Sequence, residues 1–105
     1  MKAFLYDIES EYELENEELK LDEILTEFYQ LSEQEGSFIG IKTETEPIQF
    51  AYETQDKWLV DVPYDIKNRL TLQKYASYDE CVEIIKQVYS GFSPTKIEGL
   101  KKVSI

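Results

Sequence analysis

The chain has 105 residues, 42% apolar and 13% aromatic, with 22 acids against 11 bases and no histidine. That size and apolar content suit one α+β domain over residues 1–105 with a single core, and exclude a disordered acidic tail. The formal charge of −11 and the lone arginine, Arg69, exclude direct nucleic-acid binding and electrostatic binding to anionic membranes, both of which need clustered Lys and Arg.

Lys2–Ile8 alternates as a short strand, with Ala3, Leu5 and Asp7 on one face and Phe4, Tyr6 and Ile8 on the other. An acidic run follows: Glu9, Glu11, Glu13, Glu15, Glu17 and Glu18, continued by Asp22, Glu23, Glu27, Glu33 and Glu35. It is expected to connect the strand to a helix that starts between Asn16 and Asp22. Leu21, Ile24, Leu25, Phe28 and Leu31 fall on one helical stripe, and Gly36 lies beyond as a stop. Three strand-like runs come next: Ser37–Thr43, Ile48–Glu53 and Trp58–Val62, separated by polar turns. Pro63 should end the third run or mark it as an edge. Leu70–Tyr75 is a weaker fourth run. Ser77 and Glu80 form a capping-box pattern ahead of the stripe Cys81, Ile84, Ile85 and Val88, with Gly91 at the stop. Phe92–Ile105 contains Pro94 and Gly99 and reads as a loop or a short final strand. The expected architecture is an antiparallel sheet of four to five strands with two helices, in the order β-α-β-β-β-β-α.

The charge is uneven. Residues 1–60 hold 16 acids and 4 bases, whereas residues 61–105 hold 6 acids and 7 bases. A one-sided acidic surface is costly in self-repulsion and suits a cationic protein partner. Phenols are interleaved with the acids at Tyr6, Tyr12 and Tyr29, and such rings anchor interfaces.

Chemistry has little purchase here. Without histidine, Ser-His-Asp and Cys-His sites cannot be built, and the commonest metal ligand is missing. Cys81 sits on an apolar stripe, as a packing residue does, and a single cysteine forms no intramolecular disulfide. Glu53 and Asp61 are the candidates for a two-carboxylate site, but both occupy ordinary outward-facing strand positions. The acidic run lacks the turn glycine and spacing of a calcium loop, and no glycine-rich phosphate loop occurs. No enzymatic activity, cofactor or metal is expected. No apolar stretch approaches the ~20 residues that span a bilayer. The opening Met1–Asp7 is too short and too soon acidic for a signal peptide, so a cytoplasmic protein is expected.

Phe38, Gly40 and Ile41, then Ile48, Gln49 and Phe50, then Trp58 through Pro63, resemble the meander of small immunity proteins from bacterial polymorphic toxin and contact-dependent inhibition systems. The likeness spans about residues 36–92, with Tyr89, Gly91 and Phe92 at the end of the second helix, and leaves the acidic third outside it. It implies a protein that binds and neutralises a cognate toxin domain, often a nuclease or nucleic-acid deaminase with a basic cleft. The expected partner-binding residues are then Glu9, Glu11, Tyr12, Glu13, Glu15, Glu17, Glu18, Glu23 and Tyr29. The competing reading is an adaptor or small-ligand module, or a homodimer, using an uncovered sheet face that includes Ile39 and Leu59.

Overall fold

The computed structural model describes residues 1–105. Its elements run β1 (Lys2–Tyr6), β2 (Glu13–Glu18), α1 (Leu21–Gln30), β3 (Phe38–Lys42), β4 (Pro47–Thr54), β5 (Lys57–Asp65), β6 (Leu70–Ala76), α2 (Tyr78–Tyr89), a short 3-10 turn (Pro94–Lys96) and β7 (Lys101–Ser104). All seven strands join one antiparallel sheet in the spatial order β2-β1-β3-β4-β5-β6-β7. The α+β class and both helices are as expected; the strand count of four to five is corrected to seven. The two additional strands are the sheet's edges. Each needs only backbone pairing on one side, so neither carries the apolar alternation that identifies a central strand, and charge on an edge discourages wrong pairing.

Both helices cover the same face. Ala3, Leu5, Ile39, Ile41, Ile48, Phe50, Trp58, Val60 and Val62 are buried on the sheet side of the core, against Ile24 and Phe28 of α1 and Cys81, Ile84, Ile85 and Val88 of α2. Ile39 is therefore fully buried beneath the helices and is not available to an uncovered face.

The capping box on α2 forms as its sequence indicates. Glu80 N–H donates to Ser77 Oγ at 3.2 Å, and Ser77 N–H donates to Glu80 Oε1 at 2.9 Å. At the other end Phe92 N–H reaches Gln87 O and Gly91 N–H reaches Val88 O, with Gly91 at φ +102°. This is the paired C-terminal closure that a left-handed residue permits. The first helix, by contrast, stops at Leu31, which turns extended; Gly36 shapes the later turn rather than ending the helix.

Pro63 does not end its strand, because β5 runs on to Asp65. The register explains why. Pairing of β5 with β4 stops at Asp61↔Gln49, while pairing with β6 continues through Pro63↔Thr71. Beyond Asp61 the strand has one neighbour, so a missing N–H can be tolerated there.

Candidate functional site

The acidic run is not a connector into the helix, as the sequence suggested. It is the turn and the second strand of a hairpin. Asp7 follows Ala3 and Leu5 on the inward-facing series, and it is only 7% exposed. A carboxylate there must have its lone pairs filled. It accepts hydrogen bonds from Glu9 N (3.0 Å), Ser10 N (3.2 Å), Ser32 N (2.9 Å) and Ser32 Oγ (2.8 Å). Ser32 Oγ also lies 2.8 Å from Ser37 Oγ, which accepts from Ile8 N at 3.0 Å. Burial acts to raise the Asp7 pKa, but the bonds from Ser32, Ser10 and Glu9 outweigh it and hold the carboxyl below its ordinary value. The main chain closes the turn through Asp7 N→Tyr12 O (2.9 Å) and Glu11 N→Asp7 O (2.8 Å), with Glu11 left-handed at φ 59°.

From this fixed turn β2 runs along β1 as a free edge. Glu13 stands opposite Tyr6, Leu14 opposite Leu5, Glu17 opposite Ala3 and Glu18 opposite Lys2, with an irregularity between that places Glu15 and Asn16 against Phe4. Only Leu14 is partly buried; Glu13, Glu15, Glu17 and Glu18 are exposed. Glu18 also pairs with the Met1 ammonium. Glu9 accepts from Gln34 Nε2 at 2.8 Å, and Tyr12 is 48% exposed at the hairpin tip. Glu9, Glu11, Tyr12, Glu13, Glu15, Glu17 and Glu18 thus form one continuous strip.

Glu23 and Tyr29 lie apart from it on α1. Glu23 caps that helix, accepting from Lys20 N at 2.8 Å. Tyr29 is 79% exposed and lines a cavity of about 150 Å³ with Phe28, Leu31, Glu33, Trp58 and Tyr78. A separate cavity of about 180 Å³ lies beneath the hairpin, where Tyr12, Asp7 and Ser10 meet Glu27, Gln30 and Leu31. The end of α1 therefore divides two surfaces.

The Glu53–Asp61 pair does not form. Asp61 lies opposite Gln49 and accepts from Thr71 Oγ1 and from Gln73 Nε2 (3.0 Å). Glu53 is four residues further along β4, about 13 Å away at strand spacing. No group of three or more Cys, Asp and Glu is arranged to hold a metal ion. Cys81 is fully buried, and burial pushes its thiol up to about 12. No helix is long and apolar enough to cross a membrane.

The face away from the helices carries a cross-strand row, Tyr6↔Phe38↔Ala51↔Leu59↔Tyr75. Leu59 is half-buried within it and Tyr75 is 54% exposed. Beside this row the Phe4 ring lies directly over Gly40, where an added Cβ would come within 2.1 Å of it.

Sequence reasoning missed Asp7, Ser32 and Ser37, the groups that fix the hairpin. One signal was available: an aspartate continuing the core-facing series Ala3, Leu5 has to be hydrogen-bonded. Its side-chain partner, Ser32, is 25 positions away, and Ser37, which joins the network through Ser32, is further still; neither carries a local signature. No family model, curated protein or solved structure matches this chain.

Proposed function

We propose that this protein is an acidic inhibitor that binds and neutralises a cognate bacterial toxin domain by presenting its hairpin and β2 carboxylates to a basic cleft. The observation that carries this reading is the strip from Glu9 to Glu18. It is exposed, lies on a free sheet edge and is held in one shape by a buried carboxylate. Preorganisation lowers the ordering cost of binding, and dense carboxylates raise the encounter rate with a basic partner while excluding acidic ones. A nuclease or nucleic-acid deaminase offers phosphate-binding sites that carboxylates of this kind occupy.

The test is co-expression in bacteria of this chain with the C-terminal domain of the protein encoded immediately upstream. Killing by that domain alone and survival with the chain present is the expected result. A harmless neighbour, or killing that the chain does not relieve, overturns the reading.

The row from Tyr6 to Tyr75 favours a second reading, an adaptor or ligand-binding module acting through the uncovered face. A stable dimer with that row buried at its seam would support it; a monomer that binds through the acidic edge would not.

A further inference from the structure

The 150 Å³ cavity beside α1 has an unusual wall. Phe28 stacks on Tyr78 (4.7 Å between centroids, 16°) and meets the Trp58 indole edge-on (4.8 Å, 67°). Tyr29 adds an exposed phenol, and Glu33 is the one charged residue in the lining. Trp58 is 1% exposed, and its indole Nε1 is buried without an acceptor. Burial is the first cause that raises the Tyr78 phenol above its ordinary value, and the Asp79 and Glu33 carboxylates add to it.

Those features select a ligand class. Aromatic faces and a carboxylate attract a cation and repel an anion, and a purely apolar ligand leaves Glu33 unused. The volume is well below the roughly 300–1,000 Å³ of sites for drug-sized ligands and suits one amino-acid side chain. A planar, weakly hydrated guanidinium stacks on rings and pairs with a carboxylate through two N–H groups, which an ammonium does not.

We infer that this cavity receives a single arginine side chain of the partner, its guanidinium stacked against the accessible rings of Tyr29 and Tyr78, over a floor of buried Phe28 and Trp58, and paired with Glu33. The inference rests on the proposed function in taking the partner to be a basic protein. It supplies the desolvated anchor that a strip of exposed carboxylates lacks, since exposed charge sets encounter rates more than affinity.

Trp58 is the only tryptophan, so its fluorescence reports the cavity in the unmodified protein. The probes are N-acetyl-arginine amide and its neutral isostere N-acetyl-citrulline amide. A saturable response to the arginine probe, at least tenfold tighter than to citrulline, is expected. Glu33→Gln should bring the arginine affinity down to the citrulline level, and Tyr29→Ala should weaken it with an unchanged circular dichroism spectrum. Equal responses to the two probes, no saturation, or an unaltered Glu33→Gln variant would overturn the inference. The titration needs no partner protein. A chain that binds the arginine probe yet rescues no cell loses the inhibitor reading alone, and one that rescues with a silent cavity loses the arginine site alone.

Discussion

Asp7 and Ser32, 25 positions apart, are joined twice: Asp7 Oδ2 accepts from Ser32 N at 2.9 Å and Asp7 Oδ1 from Ser32 Oγ at 2.8 Å. The pair ties the end of the first strand to the end of α1. Through Ser37 it also reaches the start of β3.

Replacing Asp7 with Ala should leave buried donors unpaired and destabilise the fold by about 2–4 kcal/mol. Urea unfolding followed by fluorescence measures this. Burial raises the carboxyl pKa, but the bonds from Ser32, Ser10 and Glu9 prevail and hold it below its ordinary value. A lowered folded pKa means the charged form stabilises the fold above the unfolded value of ~3.9 and loses that effect as pH falls through the folded value. The gap between wild type and Asp7→Asn should therefore narrow below about pH 4. A gap that stays constant on acidification would contradict this assignment.

Neutralising Glu13, Glu15 and Glu17 to Gln should leave the fold intact, since all three are exposed on an edge strand. Association with a basic partner should slow by about tenfold at low salt, and its salt dependence should flatten, with the dissociation rate little changed. Stopped-flow mixing across an ionic-strength series reads both effects. An unchanged on-rate would remove the strip from the interface.

Gly40 and Phe4 should behave as a coupled pair. A Cβ at position 40 would meet the Phe4 ring at 2.1 Å, and the backbone there is ordinary extended chain, so the obstacle is the ring alone. Gly40→Ala should destabilise by about 1–3 kcal/mol in wild type and by less than half as much in a Phe4→Ala background. Additive effects in a double-mutant cycle would mean that another contact is responsible.

Cys81 should report global unfolding. It is fully buried, and burial pushes its thiol up to about 12. A disulfide reagent such as DTNB at pH 8 should label it only as fast as the chain opens, in step with the unfolding rate. Rapid labelling under native conditions would show a local opening of α2.

The sequence was most readable where local chemistry sufficed. Ser77, Glu80 and Gly91 bracket α2, and the alternation of Ile48, Phe50 and Tyr52 or Trp58, Val60 and Val62 marks strands whose partners lie on both sides. The edge strand Glu13–Glu18 was not readable, because an edge needs no apolar series and its glutamates suit a loop equally well. Of the site, the acidic strip was visible as composition, while its shape depends on Asp7 meeting residues far along the chain. Tyr29 was identified as a candidate contact, but the rings gathered around it come from α1, β5 and α2. Only the assembled core brings those together.

Ser32, which bonds to Asp7, lies between Leu31 and Glu33, two residues that line the aromatic cavity. The acidic strip and the cavity are thus set at a fixed distance across the end of α1. If the proposed partner binds at both, the two act as a caliper: it would have to present its basic surface and its projecting side chain at matching separation. Contact at one would then favour contact at the other through the high effective concentration of an intramolecular step. A basic protein with the wrong spacing would gain only one of the two contacts.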